Sequence, residues 1–153
     1  LIAHIAPGVD FVALHEKMHQ GLADILVAHG LYTGSAESAV EAGITRAFCP
    51  HGLGHSLGIQ VHDVAGLRQP DGTPSPAPNA HPALRLTRTL RPGMVVTIEP
   101  GLYFIPMLLA PLRQQGIAVN WATVDALAAC GGIRIEDNIV ITESGCDNLT
   151  QTH

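Results

Sequence analysis

Three histidines fall within twelve residues, in His51-Gly52-Leu53-Gly54-His55-Ser56-Leu57-Gly58 and then Val61-His62-Asp63. Imidazoles ligate metals and move protons near neutral pH. The interleaved glycines let backbone and rings approach a common centre. On a straight strand His55 and His62 would face opposite ways, because side chains alternate along a strand. They converge only if the chain bends between them, and Gly58 permits that bend. Two carboxylates can join them. Glu99 closes an apolar stretch in Thr97-Ile98-Glu99-Pro100-Gly101, where the proline fixes the following turn. Glu136 lies in Gly132-Ile133-Arg134-Ile135-Glu136-Asp137. Arg134 and Glu136, two residues apart on an extended chain, share a face, so the guanidinium can hold and orient the carboxylate. One His and two Glu without a thiolate form a mixed nitrogen and oxygen donor set. Such a set suits Mn(II), Co(II) or Zn(II) rather than a structural cysteine-type zinc. Three ligands suit one ion with open positions and not two. The bland alternatives are a glycine-rich turn with exposed histidines, a solvated strand-end Glu, and a surface ion pair worth under about 1 kcal/mol.

A fourth pattern points elsewhere. His15-Glu16-Lys17-Met18-His19 matches H-E-x-x-H, the zinc signature of many metalloproteases. Its residues lie in a run where Phe11, Leu14, Met18, Leu22, Ile25 and His29 recur at spacings of three and four, the mark of an amphipathic helix. His15 falls within the apolar stripe and His19 at its edge. The reading favoured here is a pair of histidines packed or hydrogen-bonded at a helix–sheet boundary.

The elements that must position these residues can be read coarsely. Leu1 to Ala6 reads as the tail of a helix broken at Pro7-Gly8. Asp10 is a fair N-cap for the amphipathic helix, and Gly30 stands where a C-terminal glycine belongs. A shorter helix is expected from Ser35 to about Ala42. From Cys49 onward, glycines punctuate short apolar stretches and suggest turns and strands. Residues 69–82 hold five of the eleven prolines and read as an irregular surface loop. Met94 to Ile98 reads as a strand continued by Leu102 to Ile105. Ile133 to Ile135 and Ile139 to Ile141 read as a hairpin turning at Glu136-Asp137-Asn138. Helices first and strands later, without βαβ alternation, point to α+β.

Composition narrows the class. The chain has 153 residues, 46% hydrophobic and 14% charged, enough for a real core. The net charge of −5 without a basic cluster argues against a nucleic-acid partner or an anionic membrane surface. No apolar run reaches the roughly 18 residues of a membrane span. The first residues lack the basic start and cleavage site of a signal peptide. Cys49, Cys130 and Cys146 show no CxxC spacing, which fits a reducing cytoplasm better than a disulfide framework.

At His51 to Asp63, Gly93 to Tyr103 and Gly131 to Ile141, in that order and spacing, the sequence resembles the metal-dependent aminopeptidase family with the pita-bread fold. Leu84 to Arg88 and Leu108 to Arg113 look most like its prolidase branch. The resemblance covers essentially the whole chain. It implies an α+β fold, the C-terminal half of a pita-bread catalytic domain with a curved antiparallel sheet flanked by helices. The N-terminal domain and the first half of the catalytic domain would then lie outside these residues. It implies hydrolysis of Xaa-Pro dipeptides by a metal-activated hydroxide, with two divalent ions, Mn(II) first and Zn(II) or Co(II) as alternatives. Position by position, His55, Glu99 and Glu136 look like metal ligands. Glu99 also handles a proton of the attacking water, and Glu136 bridges the ions with Arg134 as its partner. His62 looks like the residue that stabilises the tetrahedral intermediate, and His51 lies on the proline side. Arg85 falls where prolidases clamp the dipeptide carboxylate, and Tyr103 supports the site. The family's five-ligand centre also needs an Asp-x10-Asp pair and a further substrate-side His, and neither occurs here. The expected partners are therefore the substrate, the N-terminal part of the same protein and, by resemblance, a second copy in a homodimer. The alternatives are a non-catalytic pita-bread binding module and an aminopeptidase P-like exopeptidase, with Arg85 deciding between dipeptides and longer substrates.

Overall fold

The computed structural model describes residues 1–151. It divides into two compact units. The first comprises Leu1–Lys17, His51–Pro100 and the chain from Ile135. The second comprises Met18–Pro50 and Gly101–Arg134.

In the first unit the expected helix tail at the start is only a 3-10 turn, Ile2–His4, followed by extended Ile5. Pro7 limits the helix, because it has no N–H for a further helical bond and pushes Ala6 before it out of the helical region. Helix α1 (Phe11–Ala28) begins here. Asp10 caps it as expected, its carboxylate accepting the Val12 N–H at 2.8 Å. Phe11 and Leu14 are buried, as are Leu84, Leu86 and Leu90. Strand β1 (Val95–Ile98) pairs antiparallel with β4 (Asp137–Ile141), which pairs with β5 (Cys146–Asn148). Residues 53–57 run antiparallel along the other side of β1. Three backbone N–H groups make the seam: Glu99 to the Leu53 carbonyl at 2.8 Å, Thr97 to His55 at 2.9 Å and Leu57 to Val95 at 2.9 Å. Flanked on both sides, β1 buries Val96, Thr97 and Ile98 alike. The proline-rich segment is a surface loop, as its composition requires, and is organised locally. The Asp71 carboxylate accepts the Thr73 N–H and hydroxyl, which holds it below the usual carboxylate range.

In the second unit, α1 ends at Gly30, whose φ of +64° is the left-handed C-terminal conformation. The buried stripe shifts along α1 to Ala23 and Leu26, which join this unit's apolar cluster. Ile25, expected in the stripe, is 47% exposed. Helix α2 (Ala36–Glu41) is capped by Ser35, and α3 (Ile44–Phe48) follows Gly43, whose φ is +71°. Strand β2 (Gly101–Tyr103) pairs with β3 (Gly132–Arg134). Helices α4 (Pro106–Gln114) and α5 (Trp121–Leu127) complete the unit. Phe48 and Phe104 meet edge to face with ring centroids 6.1 Å apart.

The hairpin expected around Glu136-Asp137-Asn138 does not form. Ile133 and Ile139 lie in different sheets, and Asp137 and Asn138 are strand residues of β4. A two-residue hairpin turn needs left-handed residues, and among the described residues none other than glycine has positive φ. Isoleucines at 133, 135, 139 and 141 keep one phase of a period of two, interrupted at Asp137. That is the pattern of one extended passage rather than of two strands folded back.

Candidate metal centre

The seam between residues 53–57 and β1 builds the centre. At Gly54 the two backbones approach so closely that an added Cβ would stand 1.9 Å from the Thr97 carbonyl oxygen. Only glycine fits there. The contact sets the next residue, His55, beside the end of β1. Thr97 and Glu99, two apart, present their side chains to the same side. The Thr97 hydroxyl accepts the His55 backbone N–H at 3.0 Å and donates to Glu99 Oε1 at 3.0 Å. His55 Nε2 lies 3.3 Å from that same oxygen. Both side chains are buried, His55 at 4% and Glu99 at 7% exposure.

Glu136 arrives by the strand register. β1 and β4 pair Ile98 with Asp137, so one residue further sets Glu99 opposite Glu136. The N–H of neighbouring Ile135 donates to the Pro100 carbonyl at 3.2 Å. Glu136 is exposed, and donor atoms of His55, Glu99 and Glu136 lie within 4.8 Å of one another.

These residues fit a divalent cation. His55 Nδ1 faces the Ser56 carbonyl at 3.1 Å, so a neutral ring carries its proton on Nδ1. The electron pair on Nε2 then faces a carboxylate oxygen. Two buried electron-pair donors at 3.3 Å need a cation or proton between them, and metal-bound histidines commonly hold their other ring nitrogen this way. The N/O donor set is that of borderline and hard divalent ions.

The bend between His55 and His62 forms at Gly58. The Asp63 N–H donates back to the Ser56 carbonyl at 3.0 Å. The His62 ring stands edge-on to His55, with centroids 4.4 Å apart, while its own side chain is exposed. His51 is half-buried, with Nδ1 2.8 Å from the Gly52 carbonyl. Arg85 is exposed between buried Leu84 and Leu86. Its backbone rests on Gly66, where a Cβ would stand 2.4 Å from the Arg85 carbonyl oxygen. In the second unit, Arg134 Nε donates to the Tyr103 hydroxyl at 2.7 Å, across the β2–β3 pair. Arg134 is the last residue of β3, and Glu136 stands just before β4.

The H-E-x-x-H pair is buried on α1, with His15 at 2% and His19 at 3% exposure. His15 Nδ1 accepts the Leu53 backbone N–H at 3.2 Å. That bond engages the electron pair of Nδ1, so this nitrogen is not offered to zinc.

Thr97 is the residue that sequence reasoning missed. Its signal was available, since Thr97 and Glu99 stand at i and i+2 on a predicted strand. Replacing Thr97 by Val keeps the shape and removes the hydroxyl. Titration of the metal-free protein is expected to show metal affinity lower by roughly 10- to 100-fold. Chemical denaturation should show a loss of about 1–3 kcal/mol from the stranded His55 N–H.

The model of metallopeptidase family M24 matches residues 1–143. The chain belongs to metallopeptidase family M24. Its mixture of helices and antiparallel strands is the pita-bread fold of that family. The chain is 59% identical over 150 residues to an Xaa-Pro dipeptidase of Marinobacter nauticus, covering 96% of this chain and 34% of that protein. It is 53% identical to an Xaa-Pro dipeptidase of Pectobacterium atrosepticum, covering 99% of this chain and 35% of that one. Among solved structures it is similar to zinc-substituted E. coli aminopeptidase P in complex with product. The TM-score is 0.66 and the identity 34%, over 97% of this chain and 27% of that chain. Proline aminopeptidase P II from Yersinia pestis matches equally, with TM-score 0.66 and 34% identity, covering 97% and 28%. The chain thus spans about a third of the length of the curated M24 relatives it matches.

Proposed function

We propose that this chain carries part of the metal centre and the proline side of the substrate site of an Xaa-Pro dipeptidase. The observation that carries the reading is His55 Nε2 facing Glu99 Oε1, with Thr97 holding both and Glu136 within reach. The identities of 59% and 53% with Xaa-Pro dipeptidases, against 34% with aminopeptidase P, favour dipeptides over longer substrates. His55, Glu99 and Glu136 would hold divalent metal, two ions with Mn(II) first and Zn(II) or Co(II) as alternatives. The remaining donors come from residues outside this sequence. When bound, the ions supply the Lewis acidity that makes water nucleophilic near neutral pH.

The chain's own residues do the rest. Glu99, buried and held by Thr97, accepts a proton of the attacking water and passes it toward the leaving nitrogen. A bond to proline leaves as a secondary amine, so that proton is required for departure. His62, exposed beside His55, donates a hydrogen bond to the oxygen that gains charge. His51 borders the proline ring, and Arg134 with Tyr103 forms a hydrogen-bonded pair assigned to the substrate side. Arg85 binds the dipeptide's carboxylate. We further assign the whole protein to the cytoplasm as a homodimer. Among the described residues no helix is long and apolar enough to cross a membrane.

The test uses the full-length protein that carries this chain, loaded with Mn(II). Proline release from Ala-Pro that stops on chelation is expected. Release that survives chelation overturns the reading, and no bound metal in stoichiometric analysis moves the protein to the non-catalytic binding class. Cleavage of long Xaa-Pro peptides as fast as dipeptides moves it to the aminopeptidase P class. Arg85→Ala is expected to raise KM for Ala-Pro by roughly 10- to 100-fold, the loss of a charge-assisted bond. Stability should stay within about 0.5 kcal/mol, since the side chain is exposed.

A further inference from the structure

We infer that His15 is a positioning residue of the metal centre, acting through the backbone of Leu53; the inference rests on the reading of His55 and Glu99 as ligands. His15 Nδ1 accepts the Leu53 N–H at 3.2 Å. The carbonyl of that same residue accepts the Glu99 N–H at 2.8 Å. Leu53 is therefore held at both backbone groups, by His15 from α1 and by Glu99 from the end of β1. It is fully buried, so no water can replace either partner.

Two residues further on stands His55, separated from Leu53 only by the glycine jammed against Thr97. One buried bond thus fixes the height of the segment from which one ligand projects and against which the other is anchored. The His15 ring is itself fixed in plane by His81, which meets it edge to face with centroids 4.5 Å apart. The requirement at position 15 is specific. It calls for an acceptor at the place of Nδ1, on a side chain filling a buried site. An apolar residue would strand the Leu53 N–H, and a longer amide would put its oxygen in the wrong place.

The test uses the full-length protein and three substitutions, with Co(II) as the probe. Leu removes the acceptor at position 15 and keeps the volume. Asn sets its oxygen near the place of Nδ1, and Gln near that of Nε2. Three quantities are read: hydrogen exchange at the Leu53 amide in the metal-free protein, Co(II) affinity from its visible absorption, and kcat and KM for Ala-Pro. In His15→Leu the amide is expected to exchange about tenfold faster, Co(II) to bind about tenfold more weakly, and kcat to fall while KM stays within about twofold. His15→Asn should recover most of each loss, and His15→Gln should not.

Unchanged Co(II) affinity in His15→Leu overturns the inference, as does an Asn variant no better than Gln. Should His15→Leu fail to fold, the Asn and Gln pair decides alone. Wild-type protein that binds Co(II) but leaves Ala-Pro intact overturns the dipeptidase reading only. The exchange and Co(II) measurements still decide the role of His15.

Discussion

Replacing Glu99 by Ala is expected to lower kcat for Ala-Pro by about 10³-fold, within the range for loss of a proton-transferring group. Metal binding weakens as well. Glu99 combines three circumstances that no other carboxylate among the described residues shares. It is buried, it accepts the Thr97 hydroxyl, and it faces His55 Nε2 at 3.3 Å. On the proposed reading, alanine removes in one step both a donor to the ion and the base that takes the water's proton. Glu99→Gln separates the two contributions, because an amide oxygen can still donate to a cation but cannot take up the proton. Turnover should therefore fall in both variants, while Co(II) affinity falls further in Ala than in Gln. Activity in Glu99→Ala within tenfold of wild type would sink the assignment.

Gly54→Ala is the second substitution with a large expected effect. A single methyl group at this position would stand 1.9 Å from the Thr97 carbonyl oxygen, and its other near neighbours are also Thr97 atoms. The obstacle is backbone of a buried strand, which cannot swing aside as a side-chain tip can. Residues 53–57 must then lift from β1, which breaks the Leu53–Glu99 and His55–Thr97 bonds together. The expected loss is about 3 kcal/mol or more, at the upper end for overpacking, and metal binding should fall with it. Denaturant midpoints measure the first and Co(II) titration the second. Gly21→Ala is the matched control. Position 21 lies within α1, has nothing within 4 Å of the added methyl, and should gain up to about 1 kcal/mol from helix propensity.

Legibility in the sequence followed the range of the forces involved. The cap at Asp10, the end of α1 at Gly30 and the bend at Gly58 are each set by one or two neighbouring residues. The local sequence therefore carries them. The strand ending at Glu99 was legible because Pro100 punctuates it. Convergence of His55 and Glu99 was expected from residue types, yet the Thr97 hydroxyl that holds them needs a partner 42 residues away in the chain. The false hairpin at Glu136 shows the opposite failure. Period-two alternation states that a stretch is extended but not which strand it joins, so it cannot tell a β3–β4 pair from the β2–β3 and β1–β4 pairs that form. The apolar stripe makes His15 a packed or hydrogen-bonded ring. Its buried bond to Leu53 is what burial of a polar ring demands, but the bond's location depends on tertiary structure alone.

The facing carboxylates Glu99 and Glu136 also set the charge arithmetic of the centre. With His55 neutral, the three donors together carry two negative charges, which one divalent ion cancels. A second divalent ion at the same place would leave an excess of two positive charges beside a buried imidazole, an arrangement that low dielectric disfavours. On the proposed reading, electroneutrality would make occupancy sequential: His55, Glu99 and Glu136 would hold one ion, and a second would enter only in company with further anionic donors.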